Sequence, residues 1–168
     1  MPNPIVRGFS SIARFSGRDT RAQFWPYAGA AVALYLVVGW VGLIPLGFLA
    51  LGASPPAAMT SLEMVVPFLV WVLLVFVGLV AILAAAVARR LHDSGRSAIL
   101  GLMPLPFAAY SGAMFFRLAS QFGTGAPDMG TFLSVFVSNL LYMVCVVTLV
   151  VLLVRPSTPG TNRYGERG

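Results

Sequence analysis

The residues best suited to chemistry are His92 and Asp93, set within Arg89-Arg90-Leu91-His92-Asp93-Ser94-Gly95-Arg96-Ser97. These positions hold the only histidine of the chain, three of its eleven arginines and one of its five carboxylates. A carboxylate that holds an imidazole in one tautomer can make a general acid–base pair. Adjacent residues on a helix do not face each other, however, and no nucleophile or metal-ligand set accompanies the pair. The sequence therefore nominates no catalytic, cofactor-binding or metal-ligating residue. His92 is better suited to the carbonyls that end a helix, where the dipole favours a cation. Asp93 is better suited to accepting an arginine bidentately and tying its own segment to another. Asp19, Asn162 and Tyr164 join His92 and Asp93 as candidate structural pivots.

The basic residues are all arginine, with no lysine. Guanidinium forks match phosphate oxygens, so Arg18, Arg21, Arg89, Arg90, Arg96 and Arg163 are the candidate residues for an anionic ligand or lipid headgroup. The plainer reading is that they set membrane topology and touch anionic headgroups. Cys145, the lone cysteine, lies deep in an apolar run and reads as a small packing residue.

The elements that must position these groups are set by composition. Hydrophobic residues make up 58% of the chain and charged residues 10%, against roughly 25% charged in soluble domains. With a mean hydropathy of +0.88, this is the composition of an integral membrane protein. A pI near 10.5 would suggest nucleic acid in a soluble chain, but the placement of the charges reports topology instead. The expected fold is all-α: a polytopic membrane protein of four transmembrane helices with a short N-terminal interfacial helix.

Residues 1–22 form an N-terminal arm. A signal peptide is not expected, because the apolar run after the arm is far longer than an h-region, although Leu51-Gly52-Ala53-Ser54 could mimic a cleavage site. Wound as a helix, Ile5, Phe9, Ile12 and Phe15 share one side and Arg7 and Arg14 the other, as in a helix lying along an anionic leaflet. Pro2, Pro4 and Gly8 weaken that helix. Thr20 and Gln23 fit a capping box, with Phe24, Trp25 and Tyr27 at the depth of an aromatic belt.

The transmembrane domain covers 23–154. A first span from about Gln23 to Leu49 is expected to kink at Pro45, and Gly52 to Glu63, with Pro55-Pro56, reads as a loop. The second span covers Met64 to Ala88, where Gly78, Ala81, Ala84, Ala85 and Ala88 would let a neighbouring helix approach. The third, Ala98 to Phe116, is capped by Ser97 and interrupted at Pro104 and Pro106. Arg117 to Gly130 is a polar loop. The fourth, Thr131 to Val154, is apolar except for Ser134, Ser138, Asn139 and Thr148, and its Ser and Asn side chains are suited to interhelical glue. Residues 155–168 form a turn-rich tail.

Arginine counting orients the chain. Arg7, Arg14, Arg18 and Arg21, then Arg89, Arg90 and Arg96, then Arg155, Arg163 and Arg167 fall on one side, ten of the eleven, against Arg117 on the other. Both termini and the central segment are therefore expected to be cytoplasmic.

Three ordered motifs carry a resemblance: Phe15-Ser16-Gly17-Arg18 with Arg21, Phe24 and Trp25; Arg89-Arg90-Leu91-His92-Asp93 with Gly95-Arg96-Ser97; and Pro159-Gly160 with Asn162-Arg163-Tyr164-Gly165. From about residue 15 to 165 the chain resembles the small bacterial inner-membrane proteins grouped as domain of unknown function 805. It departs from them at Ala98-Ile99-Leu100, where a Gly-Trp-like pair is expected. The resemblance implies a bacterial inner (plasma) membrane location and carries no activity. The leading functional expectation is an Arg-rich cytoplasmic face that binds anionic membrane lipids or a protein partner, including a second copy of the chain, with no nucleic acid and no cofactor. The alternatives are a small-molecule or lipid transporter, whose spans would offer chiefly Asn139, and an enzyme working at the membrane interface.

Overall fold

A computed structural model of the chain describes residues 3–52, 62–121 and 128–165. The Pro55-Pro56 loop, the Ala53-Ser54 step, Arg167 and residues 122–127 lie outside the described residues, and the ends of the loop expected over Arg117 to Gly130 are helical, in α4 and α5. The order of elements is α1 (Pro4–Ser10), α2 (Arg21–Gly52), α3 (Leu62–Asp93), a 3₁₀ turn (Ala98–Leu102), α4 (Leu105–Gln121) and α5 (Met129–Val154). Four helical segments are long and apolar enough to cross a membrane: Arg21–Pro45, Val66–Asp93, Ala98–Gln121 and Met129–Val154. Leu36, Leu74, Val144 and many other large apolar side chains are exposed along them, as suits helices whose solvent is lipid. The chain is thus an all-α polytopic membrane protein with a short N-terminal helix.

Local chemistry explains where these helices start and stop. At Thr20, Gln23 reaches back with its Oε1 to accept from the Thr20 backbone N–H at 2.9 Å, which is half of the expected capping box. The other half differs, because the Thr20 hydroxyl donates to the same Oε1. α2 continues through Pro45 to Gly52, so the helix runs on beyond the proline expected to kink it. α3 also runs longer than expected. Arg89, Arg90, His92 and Asp93 are its last turn rather than a loop. It closes in a Schellman motif, with Arg96 N–H donating to Leu91 O at 2.9 Å and Gly95 N–H to His92 O at 3.0 Å, Gly95 taking the required positive φ of 74°.

The third span is not one helix. Ser97 caps a 3₁₀ turn, accepting from Ile99 N–H, and α4 starts only after Pro104, whose missing donor and restricted predecessor break the run. α5 begins behind Asp128, whose carboxylate accepts from the Thr131 and Gly130 N–H groups and the Thr131 hydroxyl. Donation from the Thr131 backbone first, then from its hydroxyl and from Gly130, holds the Asp128 carboxyl below the usual carboxylate range.

The chain divides into two compact units, each described by itself. One comprises Met1–Leu34, Val77–Pro104 and Met143–Gly168. Its core holds Phe24, Tyr27, Ala28, Ala86, Leu91, Leu152 and Leu153, with Phe9 packed against it. Phe24 and Tyr27 are therefore core residues rather than members of an aromatic belt, and of that trio Trp25 alone is exposed. Tyr27 donates to Ile82 O at 2.6 Å and meets Phe9 edge-on at 5.1 Å. Gly8 lies so close to this ring that a Cβ there would sit 2.1 Å from Tyr27 Cδ2. Ala85, Ala86 and Ala88 are the small residues buried in α3, whereas a Cβ on Gly78 would meet nothing within 4 Å.

The second unit comprises Tyr35–Phe76 and Leu105–Tyr142. Trp71 donates to Gly39 O at 3.2 Å and covers Gly42 so closely that a Cβ would meet its ring at 1.9 Å. Asn139 Nδ2 donates to Ser111 Oγ at 2.7 Å, a polar tie between α5 and α4. Ser134, Ser138 and Thr148 instead donate to carbonyls of their own helix.

Candidate functional site

Three stretches far apart in sequence meet at the polar end of the first unit: the Phe15–Thr20 turn, the end of α3, and the tail after α5. Their arginines and aspartates sort into two groups around two carboxylates.

Asp93 is fully buried and serves two arginines at once. Arg18 Nε reaches its Oδ1 at 3.2 Å and Arg90 Nη1 its Oδ2 at 2.5 Å, both guanidinium groups being themselves inaccessible. Ser157 also donates to Oδ2. The expectation that Asp93 grips one arginine bidentately is thus replaced by a bridge between two, which ties the α3 end to the N-terminal turn and the tail together. The remaining donors find backbone oxygens. Arg18 Nη1 donates to Gly160 O at 2.7 Å and Gly165 O at 3.2 Å, and its Nη2 to Thr158 O at 2.7 Å. Arg90 Nε donates to Leu153 O at 2.9 Å and Nη2 to Arg155 O. A helix end leaves its last carbonyls without partners and favours a nearby cation, so Arg90 acts as a C-terminal cap on α5.

Asp19 is the second centre. It receives Arg89 Nε at 2.7 Å and Arg7 at 3.2 Å, and its backbone N–H donates to Arg89 O at 3.2 Å. Arg89 Nη1 also donates to Ser11 O and Arg14 O, which fastens the arm to α3.

The tail closes over the α3 terminus. Thr158 donates to Asp93 O through its N–H at 2.9 Å and its hydroxyl at 3.0 Å. Asn162 Nδ2 donates to His92 O at 3.0 Å and Thr158 Oγ1 at 2.8 Å. The His92 ring stacks on Tyr164 at 3.8 Å and 13°, and Arg163 lies 4.7 Å from the centre of the Tyr164 ring while donating to Gly95 O. His92 thus contributes its carbonyl and its ring face to the fold. The Asp93 oxygens point to Arg18, Arg90 and Ser157 rather than to the imidazole. Among the described residues there is no group of His, Cys, Asp and Glu that could hold a metal ion.

Of the six arginines singled out in the sequence, Arg18, Arg89 and Arg90 come together but turn inward, their donors taken by protein oxygens. Arg163 joins the edge of the cluster. Arg21 is exposed and Arg96 half-buried, and neither side chain has a hydrogen bond or ion pair among the described residues. All five candidate pivots, Asp19, His92, Asp93, Asn162 and Tyr164, belong to the network. Sequence reasoning missed Arg7, Ser157 and Thr158. The signal for the last two was Pro156 and Pro159, which stop α5 and hold the chain extended between them, so that neighbouring hydroxyls meet the α3 end.

A family model described as Protein of unknown function (DUF805) matches residues 12–166. The chain belongs to the DUF805 family. No curated protein and no solved structure matches it significantly. The DUF805 match covers all three meeting stretches and both aspartates, whereas α1 and Arg7 lie before its first residue.

Proposed function

We propose that this DUF805 protein sits in the bacterial inner membrane with the Asp93 pole and both termini on the cytoplasmic side, where the pole binds anionic lipid headgroups. The single observation that carries the reading is a division of labour among the arginines. Arg18, Arg89 and Arg90 are buried against Asp19 and Asp93, whereas Arg14, Arg21, Arg155 and Arg163 are exposed and have no carboxylate partner among the described residues. A solvated guanidinium beside an anionic leaflet contributes about 1 kcal/mol each, and positive flanks are retained on the cytoplasmic side. The inward set organises the pole and the outward set meets lipid.

The test is retention of lipid by protein purified in a neutral detergent and titrated with phosphatidylglycerol or phosphatidylcholine. Preferential retention of phosphatidylglycerol, weakening with added salt, is expected. Equal retention of the two lipids would remove the reading.

A further inference from the structure

The outward arginines are not evenly placed, and one of them belongs to a cavity. Between α1 and the Phe15–Arg18 turn lies a hollow of about 740 Å3 lined by Arg7, Arg14, Arg18 and Arg89 together with Ser10 and Ser16. Ser10, Arg14 and Ser16 are exposed while Arg18 and Arg89 are buried, so the hollow runs from an accessible rim to a charged floor.

Its charge does not balance. Arg7 and Arg89 share Asp19, and Arg18 shares Asp93 with Arg90. Arg14 has no ion-pair partner among the described residues. Four lining arginines are thus set against two carboxylates, one of which is shared with Arg90, so positive charge exceeds negative beside a partly enclosed space. A hollow lined by an excess of one sign of charge raises the local concentration of the opposite ion, so it favours an anion. The surroundings say which kind of anion. Phe15, 53% exposed, lines the hollow, and Val6 on α1 is 63% exposed, apolar surface that suits an amphiphile with its head in the hollow and its chains alongside.

We propose that this cavity is a specific site for the phosphodiester of an anionic lipid headgroup. Arg14 and Arg7 are its guanidinium donors, the Ser10 and Ser16 hydroxyls line its rim, and the Arg18–Arg89 floor sets its potential. Guanidinium forks suit phosphate oxygens in charge and shape. The site rests on the lipid-binding reading above and narrows it to one place. It also makes α1, which lies outside the DUF805 match, one wall of the site.

The experiment measures the affinity of the full chain in detergent for short-chain phosphatidylglycerol, with inorganic phosphate and glycerol phosphate as soluble probes. The variants are Arg14→Gln, Ala13→Trp and Arg117→Gln. Arg14→Gln removes a charge whose side chain has no hydrogen bond or ion pair among the described residues. Ala13→Trp fills the hollow from its exposed rim without changing charge. Arg117→Gln removes an exposed charge that belongs to the second unit and not to the pole.

Arg14→Gln and Ala13→Trp should each weaken phosphatidylglycerol binding about ten-fold at unchanged melting temperature, and Arg117→Gln less than about two-fold. The soluble probes should bind far more weakly than the lipid. If both cavity variants bind like the parent while phosphatidylglycerol is still preferred over phosphatidylcholine, the site is wrong and the general reading stands. If the parent shows no such preference, both fall. Inorganic phosphate binding as tightly as the lipid, with the same dependence on Arg14, would overturn the lipid as occupant in favour of a free phosphate.

Discussion

Replacing Asp93 by asparagine keeps the shape of the side chain and removes the one charge that Arg18 and Arg90 share. The amide Nδ2 would then face donors, since Arg18, Arg90 and Ser157 all donate toward this group. Breaking a buried ion pair from one side costs about 3–5 kcal/mol, because the charge left behind has no counterion. Here two guanidinium groups are left at once, both at 0% side-chain exposure. Some of the cost is offset by the backbone oxygens that keep both arginines hydrogen-bonded, so the lower part of that range is the working figure. For a chain of this length 3 kcal/mol corresponds to a fall in melting temperature on the order of 10 °C. Cys145, the lone cysteine, is half-buried in α5, and a thiol-reactive dye that reports its exposure on heating gives the melting curve. A double-mutant cycle with Arg18→Gln should show coupling of about 1–3 kcal/mol. An Asp93→Asn protein that melts within about 2 °C of the parent would refute the reasoning, since the carboxylate would then not be the counterion that holds the three segments.

Other perturbations separate the remaining parts of the account. Gly8→Val places a side chain where Tyr27 already sits, with Cβ 2.1 Å from its Cδ2, so α1 should lift and the arm become cleavable by added protease at little cost in melting temperature. Asn139→Leu should cost about 1 kcal/mol by losing the bond to Ser111, and adding Ser111→Ala should cost little more, as the thiol-dye melt would show. Asp128 titrates below its unfolded value, so its cap contributes stability above about pH 4 and loses it as the pH falls through the folded pKa. Asp128→Ala should therefore melt below the parent near pH 7, with the gap narrowing toward about pH 3.

The spans were legible because a membrane demands long apolar runs, and the chain confines its charges to the breaks between them. Asp93 stood out in the sequence as a lone carboxylate among several arginines, but its sharing between Arg18 and Arg90 did not. Less visible was that Arg89 and Arg90 ride on the final helical turn of α3, where their direction is fixed by the helix and points them inward. Hydropathy ends a span at the first charge, but backbone hydrogen bonding continues until the Schellman turn at Gly95. The acceptors for Arg18 were hidden for a different reason. Backbone oxygens of Thr158, Gly160 and Gly165 carry no residue-type signal, so the sequence marked Asn162 and Tyr164 in the tail but not the oxygens through which the tail holds Arg18. Gly8 was read as a weak point of α1, whereas its missing side chain is what lets the helix rest on Tyr27. The same inward turn of Arg18, Arg89 and Arg90 reduces the set of arginines that can meet lipid, and only three-dimensional placement distinguishes them from Arg14 and Arg155.

The central claim is that the Phe15, Arg89 and Pro159 motifs form one pole on the Arg-rich, cytoplasmic side of the membrane. The direct measurement is labelling by a membrane-impermeant maleimide in intact cells and in inverted vesicles, using Ser16→Cys, Arg96→Cys, Arg163→Cys or Arg117→Cys, each with Cys145→Ala. The first three should label in inverted vesicles alone, and Arg117→Cys in intact cells. Any one of the three labelling together with Arg117→Cys would contradict the account.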